Sequence, residues 1–364
     1  YNGAGNIISA QSVDTLDYSE FTPSTTLNYG IFGETNEQNG KGSVISGVVL
    51  RMNFTSKIAP NSNFAGIVSV LSENSKLFGC YATINAQIGL ESGNATVGGL
   101  VAINKGQIIG CASNVNISLY GEVDSQGNQT SNAGSIIAGG MVGWSQNVDT
   151  RLTLMDSYAV GTIKNYNTNN ATNIGGLVGK VATSSNASLG FYNKNCYVSV
   201  NIVDNANAVI NPVVAVRNGG ATNNSGIYYD LNATNITPTD WENFTIPSLR
   251  EGATLDLGTA FETKQNKNYG LPYLKLLSSA NILQDAQDTG AGTVNNPYKI
   301  NSAGQFQWAL TSGKTSYFVL SSDIDFNYIA RNFVATTFAG NLNGNGYEIK
   351  NISKTLATNI SGSV

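Results

Sequence analysis

Hydrophobic positions in the first two thirds of the chain recur in a fixed pattern with glycine. A small residue, Gly, an apolar residue and Val follow one another four times, and the glycines are 33, 41 and 36 residues apart. The four segments are Phe64–Val68, Gly98–Ala102, Gly139–Gly143 and Gly175–Gly179, and Pro212–Val216 is a weaker fifth copy. Recurrence at such a step indicates stacked structural repeats.

A second motif recurs between copies of the first. Its segments are Phe78–Ala82, Ile109–Ser113, Met155–Ala159 and Lys194–Val198. Alternating apolar and polar residues follow, as in Val115–Leu119, which predicts short strands bounded by Gly, Asn and Ser turns. One such unit cannot bury its apolar face alone, whereas stacked parallel units share a continuous core. We therefore predict an all-β fold, a right-handed parallel β-helix (solenoid) with coils about 4.8 Å apart.

The cysteines fall into the same frame. Cys80, Cys111, Ser157 and Cys196 occupy equivalent positions of successive repeats. One interpretation is an inward-facing column of small residues. The other is a disulfide between Cys80 and Cys111, which would lie one coil apart and within the usual Cα range. Cys196 would lie two coils further along and cannot join them.

The C-terminal part has a different pattern. We predict a β-helix over residues 1–275, a linker over 276–296, and over 297–364 the opening unit of a further β-helix module, completed by another copy. Tyr298–Ile300 and Tyr317–Leu320 read as strands.

Two local signals refine this C-terminal unit. Ser302–Gln305 forms a capping-box pattern that predicts a short helix carrying Phe306 and Leu310 on one face. The paired Asn-Gly steps of Asn343–Gly346 predict a tight turn between two strands.

The composition of the chain argues against several classes of function. Charged residues are 12% of the chain, about half the usual share, and the net charge is −4 without a basic cluster, so we expect no nucleic-acid partner. No apolar run is long enough to span a bilayer, so the chain is expected not to be membrane-spanning. The chain has no His, which excludes Ser-His and Cys-His catalysis and disfavours a zinc site. We expect no catalytic residue, metal or cofactor.

The repeated motifs resemble those of GLUG-repeat surface proteins and adhesins. The residues that carry the resemblance are Gly99-Leu100-Val101, Gly140-Met141-Val142-Gly143 and Gly176-Leu177-Val178-Gly179. The segment 297–349 is similar to the unit that opens such modules, and 269–275 to their closing strand. The resemblance implies a parallel β-helix and an extracellular or cell-surface location. It says little about which function the protein has. Ile67-Val68-Ser69 and Pro212-Val213-Val214 lack the closing Gly of the family motif.

The order of these parts suggests assembly. Tyr29–Gly33 is similar to the coil that follows the opening unit, yet it precedes that unit here. We therefore expect an extracellular structural or adhesive protein, a head-to-tail filament or tandem-array unit, whose partners are copies of itself and glycans or a host or neighbouring cell surface. The alternative is a polysaccharide lyase or glycoside hydrolase of the β-helix type, which needs converging acidic and basic residues that are scarce here. The chain lacks the regular Thr-x-Thr column of an ice-binding face.

Twelve Asn residues stand in Asn-x-Ser/Thr sequons, which mark glycosylation sites on secreted glycoproteins. They are Asn53, Asn94, Asn116, Asn128, Asn170, Asn186, Asn223, Asn232, Asn235, Asn243, Asn351 and Asn359. Chance alone gives a similar number in so Asn-rich a chain. Asn128, Asn170 and Asn186 have the most loop-like surroundings.

Other candidate residues have competing structural roles. Asp323 and Asp325 could hold Ca²⁺ together with Asn327, act as a catalytic acid and base, or form turn and cap hydrogen bonds. The acids Glu34, Glu37 and Glu91 stand apart and read as solvated. The side chains of Trp144, Trp241 and Trp308 could stack on sugars or pack within the fold.

Overall fold

The structure is a computed structural model that forms two compact units. It describes residues 7–12, 27–36, 41–121, 134–146, 153–182, 191–217, 223–231, 241–244, 256–263, 271–277, 290–300, 315–321, 324–325, 336–350 and 357–360, with single positions 233, 236, 238, 268, 306, 309, 310 and 352. The first unit is Tyr1–Phe244 with Leu255–Ala260, and the second is Thr245–Thr254 with Phe261–Val364. Most of the predicted linker 276–296 lies outside the described residues, so those domain bounds stay a prediction.

The described part of the first unit is built from short β-strands. In chain order they are β1 (Ile7–Ser12), β2 (Asn28–Tyr29), β3 (Phe32–Glu34), β4 (Val44–Ser46), β5 (Val49–Lys57), β6 (Ser62–Ala65), β7 (Val68–Leu71), β8 (Lys76–Phe78), β9 (Tyr81–Gly89), β10 (Asn94–Gly98), β11 (Val101–Asn104), β12 (Gln107–Ile109), β13 (Ala112–Tyr120), β14 (Ser135–Gly139), β15 (Val142–Ser145), β16 (Leu154–Asn165), β17 (Asn173–Gly175), β18 (Val178–Val181), β19 (Tyr192–Asp204), β20 (Val209–Asn211), β21 (Val214–Arg217), β22 (Asn223–Asp230) and β23 (Glu242–Phe244).

These strands form three parallel sheets. Sheet A has the order β1-β5-β9-β13-β16-β12-β8-β4, with β19, β22 and β23 continuing from β16. Sheet B has the order β2-β6-β10-β14-β17-β20, and sheet C the order β3-β7-β11-β15-β18-β21. The prediction of an all-β chain with parallel sheets is confirmed at this level.

The chain visits the sheets in a repeated order. It passes from sheet B to sheet C and then to sheet A, as in β10, β11, β12 and β13. Each strand pairs with its equivalents in the repeats before and after, as β10 does with β6 and β14. From β16 onward the two sheet A segments are one continuous strand, because β16 pairs with both β12 and β13.

The first sequence motif supplies the corner between sheets B and C. Leu100 N donates to Met141 O at 2.9 Å, and Met141 N donates to Leu177 O at 3.0 Å. All three side chains are fully buried in one core cluster. Ile67 and Val213 continue this column at its two ends through the same type of hydrogen bond. The predicted alignment of the motif is therefore confirmed, including its two divergent copies.

The glycines of this corner are required by close backbone approach. A Cβ atom added at Gly99 would overlap the carbonyl oxygen of Gly140, and one at Gly140 would overlap that of Gly176. The same conflict recurs between Gly176 and Pro212. The spacing of the repeats thus dictates glycine at the corner.

The second unit also pairs its strands mainly in parallel. Its strands are β24 (Phe261–Glu262), β25 (Tyr273–Leu274), β26 (Tyr298–Ile300), β27 (Tyr317–Leu320), β28 (Ile324–Asp325), β29 (Thr336–Phe338), β30 (Asn341–Asn343), β31 (Ile349–Lys350) and β32 (Ala357–Ile360). The sheets are β26-β27-β30, β28-β31 and β29-β32, all parallel, and the antiparallel pair β24-β25. Two short 3₁₀ turns are Gly258–Ala260, in the first unit, and Lys275–Leu277.

The predicted tight turn between two strands at Asn343–Gly346 is confirmed, and it joins β30 to β31. Tyr347 N donates to Gly344 O at 2.9 Å, and Asn345 has a φ of 48°. The strands on either side do not pair with each other, since β30 pairs with β27 and β31 with β28. Parallel pairing places Leu342 and Ile349 against the core cluster of this unit. This burial explains why β30 and β31 pair with earlier strands and not with each other.

The other C-terminal predictions have mixed outcomes. The strands predicted at Tyr298–Ile300 and Tyr317–Leu320 are confirmed as β26 and β27. Within the predicted closing strand, β25 is a two-residue strand antiparallel to β24. Of the predicted short helix, the structure describes Phe306, Ala309 and Leu310, which are buried, and the remainder lies outside the described residues.

Candidate functional site

The outer face of the long sheet A strands carries mostly uncharged polar side chains. Residues of β5, β9 and β13 alternate between the core cluster and this face. The exposed or half-buried outward residues are Arg51, Asn53, Thr55 and Lys57 on β5, Thr83, Asn85 and Gln87 on β9, and Asn114, Asn116 and Ser118 on β13. The exposed Lys57 side chain pairs with Glu91, so Arg51 is the remaining cation of this group.

Three of these side chains form a hydrogen-bonded amide column, Asn53, Asn85 and Asn116. They are direct partners across adjacent strands. Asn85 Nδ2 donates to Asn53 Oδ1 at 3.2 Å, and Asn116 Nδ2 donates to Asn85 Oδ1 at 2.8 Å. The next position of the column is Thr162, whose side chain is buried, so the amide column ends at Asn116.

The amide column has chemistry suited to neutral polar ligands. Within the column Asn53 only accepts a hydrogen bond and Asn116 only donates one. The column itself therefore does not use Asn53 Nδ2 or Asn116 Oδ1. Amide groups repeating about every 4.8 Å can exchange hydrogen bonds with hydroxyl groups. Two members, Asn53 and Asn116, are also predicted glycosylation sites, so the column joins two features that the sequence treated separately.

No protein-family model, curated protein or solved structure matches this chain. The resemblance to GLUG repeats therefore rests on the sequence motifs alone. Function must be argued from the geometry of the described residues.

The sequons differ in their accessibility. Asn53, Asn94, Asn170 and Asn243 are exposed, and Asn116 is half-buried. Asn94 Oδ1 accepts a hydrogen bond from Ser135 Oγ at 2.7 Å. Asn223 and Asn359 lie in strands, β22 and β32, but their side chains are outside the description. The sequons outside the described residues are Asn128, Asn186, Asn232, Asn235 and Asn351.

The predicted column of small residues in the core is present and contains the three thiols, which are free. Cys80 N donates to Cys111 Sγ at 3.4 Å, and Cys111 N donates to Ser157 Oγ at 3.1 Å. Ser157 and Cys196 are partners across β16 and β19. All three cysteines are buried. We call this set, Cys80, Cys111, Ser157 and Cys196, the thiol column.

The thiols differ in acidity because their neighbours differ. A hydrogen bond from Cys111 holds the pKa of Cys80 below its usual value, while burial, and then the same contact, raise the pKa of Cys111. Burial raises the pKa of Cys196, which has Ser157 and not a thiol beside it, to about 12. Cys196 is thus held as an unreactive neutral thiol at neutral pH.

A column of tyrosines beside the thiols escaped the sequence analysis. Tyr81, Tyr158 and Tyr197 each follow a member of the thiol column, and Tyr228 follows Ile227, the partner of Cys196. All four are buried, and Ala112 stands between Tyr81 and Tyr158. The rings of Tyr158 and Tyr197 stack with centroids 4.9 Å apart and planes 7° apart. The recurrence of Tyr after Cys or Ser in the second motif was the signal that could have revealed it.

The tryptophans engage cations of the same unit. Lys180 Nζ lies 4.9 Å from the centroid of Trp144, and the Arg217 guanidinium lies 4.5 Å from that of Trp241. One ring face of each is thereby occupied, which argues against sugar stacking on that face. Trp308 lies outside the described residues.

Only two of the acidic candidate residues have side chains that the structure describes. Glu34 and Glu91 are exposed, whereas Glu37, Asp323 and Asn327, and the side chain of Asp325, lie outside the described residues. The described part of the chain contains no group of three or more potential metal ligands. Across the same described ranges, no helix has the length and hydropathy needed to cross a membrane.

Proposed function

We propose that this chain is an extracellular structural or adhesive protein whose copies stack head to tail. In this proposal the three parallel sheets of the first unit are the walls of one right-handed parallel β-helix. The repeated order of sheets B, C and A supports it, together with the single core cluster shared by successive repeats. Crossovers between parallel strands are right-handed in nearly all proteins, which supplies the hand.

The observation that carries the proposal is that, within the described ranges, the parallel sheets end at strands with a strand partner on one side. Among the described residues, β2 and β3 pair only with β6 and β7 of the following repeat. In the second unit, β30 and β31 likewise pair only with β27 and β28. A strand at the edge of a sheet is a template for addition of another strand, so such edges favour assembly.

Both edges also leave apolar side chains incompletely covered. Tyr29, Ile31 and Phe32 pack on the core of the first unit but are only partly buried, as are Leu342 and Ile349 on the core of the second. Placing the first edge of one copy on the last edge of another would bury both sets and pair both rows of backbone groups. Because the joined edges differ, the contact repeats without closing and builds a filament.

The role of the β30 edge in assembly can be tested by removing one backbone N–H donor. Asn341 N donates to Ser316 O on the β27 side at 2.9 Å, so alternation directs the N–H of Leu342 to the open side of β30. We expect Leu342→Pro to prevent filaments by removing that donor. Leu342→Ala is the matched control, since it loses the same side chain and keeps the N–H.

The measurement is electron microscopy of the purified chain over a range of concentrations, with circular dichroism to check that both variants fold. We expect rods many units long for the unaltered chain and for Leu342→Ala, and single particles for Leu342→Pro. Short monodisperse rods of the unaltered chain at high concentration would remove the assembly proposal. Release of reducing sugar from a panel of polysaccharides would instead favour the lyase or hydrolase alternative.

A further inference from the structure

Two members of the thiol column face each other across adjacent strand segments. Gly79 N donates to Ile109 O at 3.0 Å, and Ala112 N donates to Cys80 O at 2.9 Å. These two bonds hold Cys80 directly opposite Cys111. Paired strands are about 4.8 Å apart, which lies inside the Cα separation of roughly 4.4–6.8 Å that a disulfide spans.

The two residues of this pair are in contact and shielded from water. The Cys80 backbone N–H donates to Cys111 Sγ at 3.4 Å, and both residues are fully buried. Each sulfur also makes weak contacts to two carbonyl oxygens. Cys80 Sγ lies 3.4 Å from Phe78 O and 3.8 Å from Ile45 O, and Cys111 Sγ lies 3.3 Å from Ile109 O and 3.5 Å from Leu77 O. Joining the sulfurs would leave no charged group behind and would remove only weak S–H donors.

We propose that Cys80 and Cys111 are a disulfide-forming pair that joins two successive repeats of the first unit covalently. The third thiol has no such partner, because Cys196 faces Ser157 on one side and Ile227 on the other. The pairing is therefore specified by the register of the strands. It is independent of head-to-tail assembly.

The chemistry needs an external oxidant of the disulfide class. The Cys80 thiolate attacks one sulfur of glutathione disulfide and releases one glutathione thiolate. Cys111 then loses its proton, attacks the mixed disulfide at the Cys80 sulfur and releases the second glutathione. Two protons and two electrons leave the protein, and one glutathione disulfide becomes two thiols.

The experiment is refolding from denaturant in a glutathione redox buffer, so that the oxidant reaches all three cysteines before the core closes. After acid quenching, thiols are counted in denaturant with a chromogenic disulfide reagent, and the mass is measured intact. We expect the count to fall from three to one, with loss of the mass of two hydrogens. Peptide mapping should place the cross-link between residues 80 and 111.

Serine variants separate the possible outcomes, and Ser157 indicates that serine fits this column. Cys196→Ser should give no free thiol, whereas Cys80→Ser should keep two. The oxidised chain should also unfold at a higher urea concentration than the reduced chain. Three thiols in refolded chain with native circular dichroism, or a cross-link that includes Cys196, would overturn the proposal. Protein secreted into culture medium and counted without refolding gives the same readout if refolding fails.

Discussion

One residue in each described repeat of sheet A has left-handed backbone, just before the position that the thiol column occupies. The φ values at this corner are 64° at Gly47, 60° at Gly79, 62° at Gly110, 46° at Asp156, 52° at Asn195 and 64° at Gly226. Gly adopts this conformation without steric cost, and Asn and Asp tolerate it best among the other residues. Where Gly is absent, Asn195 Nδ2 donates to Asp156 Oδ1 at 2.8 Å, which stabilises the corner.

Substitutions at Asn195 separate these two contributions. We expect Asn195→Gly to lower the free energy of unfolding by about 1 kcal/mol, because only the hydrogen bond to Asp156 is lost. Asn195→Ala should cost roughly 2 kcal/mol, because Ala adds the strain of a left-handed backbone with a Cβ atom. Urea unfolding followed by circular dichroism measures both. A Gly variant that is less stable than the Ala variant would contradict this account of the corner.

At the scale of the element, the amide column ties three long strands together on their outer face. Its hydrogen bonds join side chains that are 32 and 31 residues apart in sequence. They therefore stabilise pairing between repeats and not the fold of any one repeat. Asn85 is the central member and takes part in both bonds.

Removing the central amide tests this contribution. We expect Asn85→Ala to lower the free energy of unfolding by about 1–2 kcal/mol, since two hydrogen bonds of roughly 0.5–1 kcal/mol are lost. Gln87→Ala is the matched control, because Gln87 is exposed on the same face of β9 outside the column, and its effect should stay within about 0.5 kcal/mol. Equal urea midpoints for the two variants would mean that the amide column contributes nothing measurable.

The elements that could be predicted from the sequence are those in which backbone geometry permits only one type of residue. The corner of Leu100, Met141 and Leu177 was visible because close approach between repeats leaves only glycine beside it. The fusion of the two sheet A segments from β16 onward could not be predicted from the corner residue, because this residue is Asp156 in β16 and Asn195 in β19 but Gly226 in β22. The amide column was missed because one Asn in an Asn-rich chain carries no signal by itself. The equal distances of Asn53, Asn85 and Asn116 from Gly47, Gly79 and Gly110 could have shown it.

At the scale of the whole molecule, each described repeat of the first unit pairs its strands only with neighbouring repeats. Stability in such an arrangement is close to a sum of repeat and interface contributions. A substitution in the amide column should therefore destabilise mainly the repeats that it touches. By the same reasoning, a glycan on an exposed Asn should leave distant repeats unaffected. Of the exposed sequons, Asn53 and Asn243 lie on β5 and β23 of sheet A, Asn94 lies on β10 of sheet B, and Asn170 lies between β16 and β17.

Glycosylation of these exposed sequons is the last prediction, and it tests the extracellular proposal. When a eukaryotic cell secretes the chain, we expect its mass to exceed the 38.3 kDa of the polypeptide, with glycans at these four Asn residues. Thr55→Ala destroys the sequon of Asn53 but leaves its amide in the column, so exactly one glycan mass should be lost. Thr55→Ser keeps the sequon and should keep that glycan. Intact-mass spectrometry with site mapping decides, and a bare polypeptide mass would contradict the prediction.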